Sequence, residues 1–363
     1  MSFFKTTRSW YGRFERPISS LSLIAGFAFD ALTLKRVDMF WENFWVVAHL
    51  VIVGVFIALV HLKKIEKGDE KDPSKAHFWF INILQFFFGG LLSTFLVFYF
   101  RSTDFFTTWP FIVLLAVAFI ANESLKRHYI RFSFQVSLFF LSIYSFAIFL
   151  LPVILHKISS KIFLLSGLIS LIFILAYVLV LFIFIKDKLT ESKKMILFSV
   201  LGICALVNIL YFTNLIPPIP LSLKDGGMYH SVQRNTDGNY DVTYENYGWK
   251  GYFQMYPIFR ETPGSPIYAY SAIFSPQDMN LTIVHEWQHY NEVERKWITD
   301  FTINLPVIGG RDGGFRTYSE RSDLASGKWR VNIKTEQGQT IGSLRFNILP
   351  VDVAPVLASD IKD

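Results

Sequence analysis

Residues 281–290, LTIVHEWQHY, contain the pattern H-E-x-x-H, and whether they form a helix or a strand decides what the second half of the chain is. On a helix, His285 and His289 stand one turn apart, about 6 Å along the axis. Both imidazoles can then share a Zn²⁺ while Glu286 activates its water. On a strand the same pair is about 13 Å apart at roughly 3.3 Å per residue, and Glu286 points to the opposite face. The β-branched run Thr282, Ile283, Val284, preceded by turn residues Pro276 and Asn280, favours the strand. With period two, Ile283, His285, Trp287 and His289 make one face, and Thr282, Val284, Glu286, Gln288 and Tyr290 the other. A helical stripe of Ile283, Trp287 and Tyr290 also exists, so periodicity alone does not decide. Asn291, however, falls where the helical motif carries an apolar residue. A zinc site would need a third ligand, and Glu320 in TYSERSD lies in a predicted strand or loop where that architecture requires a second helix. The strand reading assigns no catalytic residue, no metal and no cofactor, with His285, His289 and Glu320 as the alternative zinc set of a membrane-tethered peptidase.

The same alternation extends outward from this stretch. IYAYSAIF (267–274) is rich in β-branched and aromatic residues and is bounded by prolines. KWRVNIKTEQGQTIGSLRFNI (328–348) predicts a hairpin: Trp329, Val331 and Ile333 face one way, a turn is centred near Gln337-Gly338, and Leu344, Phe346 and Ile348 return. WITDFTINLPVIGG (297–310) and FRTYSE (315–320) also read as strands. Closely spaced strands with no amphipathic helix predict an all-β, Ig-like antiparallel sandwich over residues 217–363. The single cysteine, Cys204, lies outside it, so this domain is held by its core and not by disulfides.

Residues 19–216 are of another kind. The chain is 52% hydrophobic with 38 Phe, and most of that excess precedes residue 217. Apolar runs approaching the roughly 20 residues of a bilayer crossing occur at Ser19–Leu34, Trp41–Leu62, Phe78–Phe100, Thr108–Asn122, Phe132–Leu155, Ile162–Ile185 and Met195–Ile216. They predict a membrane α-helical bundle of about seven transmembrane helices, following a basic tail at 1–18. Lys and Arg number sixteen in the tail and in the loops at 63–75, 126–131 and 186–194, against five in the alternate loops. That asymmetry puts the amino terminus in the cytoplasm and, with an odd number of spans, residues 217–363 outside. The formal charge of +6 follows the cytoplasmic loops and implies a lipid bilayer as partner, with no nucleic acid.

Within the spans Asp30 and His49 are the intramembrane polar candidates, because ionisable groups there are costly. For Asp30 the alternatives are a snorkelling pair with Lys35 and a polar contact to another helix. His49, Gln85, Asn208 and Asn214 also suit single interhelical hydrogen bonds. A small-solute or lipid transporter is a further alternative, with its site at Asp30 and His49, although no internal repeat supports it.

GFAFDALTLKRVD (26–38), IPPIPLSLKDGGMYH (216–230), HEWQHYN (285–291) and GKWRVNIKTEQGQTIGSLRF (327–346), in this order, resemble bacterial multi-spanning membrane proteins with a C-terminal domain of unknown function 2914. The resemblance implies a bacterial membrane protein ending in a β-rich domain, and with the charge asymmetry the expectation is a bacterial cytoplasmic membrane with that domain periplasmic or extracellular. It also implies that His285 and Trp287 are the meaningful pair of HEWQH, and it implies no reaction. The expected role is a recognition or assembly module for an envelope polymer, a glycan or a protein. Its binding candidates are His285, Trp287, Trp297, Arg316 and Arg330, with His285, Trp297 and the two arginines expected exposed on a rigid sheet. The competing structural reading puts Trp297 in the core and pairs both arginines with Glu320 or Asp323.

Overall fold

The computed structural model describes residues 25–34, 38–62, 75–101, parts of 109–120, 131–216, 218, 220–248, 254–276, 279–309 and 313–362. The basic tail and most of the charged run Lys63 to His77 lie outside them. The chain forms a helical unit and a β unit, with the main division at Leu215/Ile216.

The helical unit contains α1 (Phe40–Leu62), α2 (Lys75–Arg101), α3 (Phe132–Leu155), α4 (Ser160–Phe184) and α5 (Lys186–Phe212). Among the described residues these are five helices long and apolar enough to cross a membrane. Even the 23 residues of α1 extend about 35 Å. Residues 25–33, in the first expected span, are helical, and the fourth span is helical wherever it is described. Lys186 to Lys194, expected as a loop, instead opens α5. Its long charged side chains are good helix formers, and Asp187 in the first turn suits the helix dipole.

Polar side chains join these helices. Ser166 Oγ of α4 donates to the Ala147 carbonyl of α3 at 3.1 Å. The Tyr177 hydroxyl of α4 donates to the Gly54 carbonyl of α1 at 2.7 Å. Asn208 Nδ2 of α5 donates to the Tyr144 hydroxyl of α3 at 3.2 Å. Gly167 makes room for that tyrosine, whose hydroxyl lies 2.9 Å from where a Cβ would stand.

Among its described residues the β unit has eleven strands: β1 (Ser222–Tyr229), β2 (Ser231–Arg234), β3 (Tyr240–Glu245), β4 (Ile258–Glu261), β5 (Ile267–Phe274), β6 (Asn280–Asn291), β7 (Lys296–Ile308), β8 (Phe315–Arg321), β9 (Gly327–Thr335), β10 (Thr340–Pro350) and β11 (Leu357–Lys362). They form a five-stranded sheet β4-β10-β9-β6-β7 and two three-stranded sheets, β1-β5-β8 and β11-β3-β2. LTIVHEWQHY is strand throughout, paired with β7 on one side and β9 on the other. The hairpin is present as well, with Trp329 opposite Phe346, Val331 opposite Leu344, and Gly338 at φ +83° in the turn.

The unit has three layers where two were expected. Ile267, Ala269 and Ile273 of β5 join Trp287, Trp329, Val331, Ile333 and Phe346 of the five-stranded sheet in the main core. The alternate residues Tyr270 and Ala272, with Tyr268 beside them, pack with Tyr229, Val232 and Val242 in a second core toward the third sheet. A sheet covered on both faces buries both sets of side chains, so β5, expected to alternate, is buried at every position but Tyr268. Among the described residues pairing is antiparallel except between β4 and β10, which run parallel.

Candidate functional site

His285 and Trp287 project from β6 into the main core, and each is 0% exposed, so the exposed His285 expected from sequence is instead internal. His285 Nε2 lies 2.9 Å from Ser271 Oγ of β5, and Nδ1 lies 2.9 Å from Ser319 Oγ of β8. The same Ser319 hydroxyl accepts the Trp287 indole N–H at 3.0 Å. Burial pushes the imidazole down to about 4, so it is neutral near pH 7. A serine hydroxyl against histidine is the chemistry of acyl transfer only where substrate can enter. Here Ser271 and Ser319 are 0% and 4% exposed, and the cluster is a polar clip between two sheets.

The other members of the zinc set are elsewhere. His289 Nδ1 lies 2.7 Å from Asp300 Oδ2 of β7, and Glu320 sits opposite Tyr268 in the β5–β8 ladder. Glu286 is on the outer face, bound to Lys334. Among the described residues no group of three or more His, Cys, Asp or Glu side chains is placed to hold a metal ion.

Arg316 is also a correction, at 9% exposed. Its Nη1 donates to Asn239 Oδ1 at 3.0 Å and to the Lys362 carbonyl at 2.8 Å, which ties β8 to the third sheet.

Trp297 and Arg330, by contrast, meet on the outer face of the five-stranded sheet. The face exists because the residues between the core positions of β6, β9 and β10 all point away from the core. The Arg330 guanidinium lies 4.3 Å from the Trp297 ring centroid. Tyr290 flanks the indole at 5.3 Å, and Tyr256 stacks on it at 6.3 Å and 12°. Arg330 Nε donates to Gln288 Oε1 at 2.7 Å, and the same oxygen accepts from Asn332 Nδ2 at 3.1 Å. Burial lowers the Arg330 guanidinium, as does neighbouring Arg345, with Tyr256 and Glu286 opposing. Burial raises the Glu286 carboxyl, but hydrogen bonds from Lys334, Asn332 and Thr299 and the Lys334 charge outweigh it and hold it below its ordinary value. Gln288 and Asn332 are buried among these partners, so the stacked ring and guanidinium rest on a fixed polar floor.

Arg345 stands opposite Arg330 in the β9–β10 ladder and also lines a cleft of about 980 Å³ with Tyr229, Tyr244, Tyr247, Phe259 and Lys362. Lys362 Nζ is 3.2 Å from both Asp225 and Asp360. Burial lowers this ammonium, but Tyr229 and the two carboxylates more than compensate, so it is raised and stays charged. Arg345 thus stands between the cleft, which Glu245 and Asp360 also line, and the Arg330–Trp297 pair, whose guanidinium and rings suit a ligand with flat apolar faces and anionic groups. Sequence reading found Trp297 and Arg330 but missed Tyr256, Gln288, Asn332 and Arg345. For Gln288 and Asn332 the signal was available, because each alternates with core positions already assigned.

The Asp30 carboxylate accepts a hydrogen bond from Ser93 Oγ of α2, and His49 is buried in α1.

No curated protein matches the chain. An immunoglobulin-like protein from Pseudomonas aeruginosa is similar over 36% of this chain and 96% of its own, at 9% identity and a TM-score of 0.21. A Pseudomonas fluorescens alkylpurine DNA glycosylase, bound to DNA containing an abasic-site analogue, aligns over 85% of this chain and 99% of its own, at 10% identity and a TM-score of 0.22. Neither score supports a fold assignment. Residues 280–348, from β6 into β10, match the family described as Protein of unknown function (DUF2914), so the chain carries a DUF2914 domain toward its C-terminus.

Proposed function

We propose that the chain is an integral protein of a bacterial cytoplasmic membrane, crossing it about seven times with its amino terminus in the cytoplasm. The β unit, an immunoglobulin-like pair of facing sheets with a third sheet added, is then a periplasmic or extracellular recognition module for an anionic glycan or envelope polymer. Five long apolar helices and the excess of Lys and Arg on one side support the topology. The observation that carries the recognition reading is the Arg330 guanidinium stacked 4.3 Å from the Trp297 centroid. The rings around the guanidinium offer apolar surface to a sugar, and a guanidinium fork binds carboxylate or phosphate in two parallel hydrogen bonds. A site that continues through Arg345 into the cleft suits a polymer better than a single sugar.

The test is calorimetric titration of the full chain in nanodiscs with matched anionic and neutral polysaccharides. An anionic polymer is expected to bind, with Trp297→Ala and Arg330→Ala each weakening it about tenfold or more, a loss of about 1.4 kcal/mol, while the β unit stays folded. Arg330→Lys keeps the charge and loses the fork, so its affinity is expected in between. Binding unchanged in both alanine variants would put the interaction site elsewhere.

A further inference from the structure

Two ionisable side chains of the helical unit converge on one face of α2. Asp30, in the helical stretch 25–33, takes the hydrogen bond from Ser93. His49 of α1, 6% exposed, packs on Gly90, which lies three residues before Ser93 and therefore on the same face of α2. The His49 Nε2 and Cδ2 atoms lie 3.2 Å from where a Cβ of residue 90 would stand, so the absence of a side chain there lets the ring approach. His49 Nδ1 is 2.9 Å from the Trp45 carbonyl oxygen. A carbonyl only accepts, so Nδ1 carries the hydrogen, and in the neutral ring Nε2 keeps its lone pair. That basic nitrogen is the one turned toward α2, where Asp30 is held. Trp45 and Phe87 flank the imidazole at 4.6 Å and 4.9 Å and supply no charge. The two side chains act on each other electrostatically.

We propose that Asp30 and His49 together form one proton-binding site inside the helical unit, with the Ser93 hydroxyl positioning the carboxyl and Gly90 admitting the imidazole. Uptake of one proton converts a carboxylate and a neutral imidazole, net charge −1, into a net neutral pair. The proton rests on a carboxyl oxygen or on Nε2, and release restores the negative charge. A site of this kind gives a multi-helix unit a use that a plain anchor lacks, since one helix suffices to tether a domain. The proposal is independent of the recognition reading of the β unit.

The test is reaction of the full chain, reconstituted in liposomes, with dicyclohexylcarbodiimide between pH 5.5 and 8.5. A protonated carboxyl gives its proton to a carbodiimide nitrogen, its oxygen bonds to the central carbon, and an acyl shift to nitrogen leaves a stable acylurea that peptide mass spectrometry localises. Asp30 is expected to be modified with a pH-dependent rate, and the adduct is expected to be absent in Asp30→Asn. His49→Gln and Ser93→Ala are each expected to move the pH midpoint by about one pH unit. Two variants are used so that misfolding of one leaves the other decisive. A wild-type Asp30 that stays unmodified across the range overturns the proposal, as does a midpoint unmoved in whichever of the two variants fold.

Discussion

His285 shows how much a single side chain depends on what faces it. The alternation in LTIVHEWQHY correctly placed His285 on the Trp287 side of the strand, but nothing in that stretch tells whether the side is wet or dry. The answer lies in Ser271 and Ser319, whose hydroxyls satisfy both ring nitrogens from another sheet. The burial has a thermodynamic consequence. In the unfolded chain the imidazole titrates near 6.5, and in the fold at about 4. Between these values the unfolded state binds the extra proton, so stability is full above about pH 6.5 and falls as pH drops toward 4. The total loss is about 3 kcal/mol. Urea unfolding of the β unit, followed by tryptophan fluorescence in the detergent-solubilised chain, is expected to show that slope. His285→Gln is expected to flatten it while lowering stability at neutral pH. An equal slope in the variant would assign the pH dependence to another group.

Elements differ in how openly the sequence declares them. β9 and β10 were legible because core and outer residues alternate cleanly around a glycine turn. β1 to β4 and β11 were not. β1 contains Lys224, Asp225, Gly226 and Gly227, residues disfavoured in strands, and it is stabilised by its pairing with β5. β11 was likewise unreadable, because it is mostly exposed and its pairing partner β3 lies far back in the sequence. The element that couples these layers is β8, through Arg316. Arg316→Met keeps the length of the side chain and removes both hydrogen bonds, leaving the Lys362 carbonyl and the Asn239 amide without this partner at a cost of about 1 to 3 kcal/mol. Hydrogen exchange is expected to accelerate in β11 and β3, roughly tenfold or more, with β6 and β9 unchanged. Uniform acceleration across all three sheets would show that Arg316 supports the whole unit and does not clamp the third sheet in particular.

At the scale of the molecule, the division into an apolar helical part and a β-rich part was legible from composition alone, because the two parts bury their apolar groups in different patterns. The layering of the β unit was not, since it depends on pairings between distant strands. The proposed topology makes a direct prediction. In a Cys204→Ser background, Ser326→Cys is expected to react with a membrane-impermeant maleimide in intact cells, and Lys193→Cys only after lysis. The reverse pattern would invert the orientation, and labelling of both in intact cells would remove the membrane barrier between them.

The parallel pairing of β4 with β10, and the pairing of β3 with β11, set the order in which the β unit can assemble. Both join strands separated by most of the domain, while the β9–β10 hairpin closes locally and early. During synthesis β2 and β3, which carry Val232 and Val242, therefore precede the strand they pack on, and the outer edge of β3 stays open until β11 emerges. Late closure of this kind favours slow folding and a lasting intermediate. A folding factor that shields an unpaired strand edge would act most usefully in that interval.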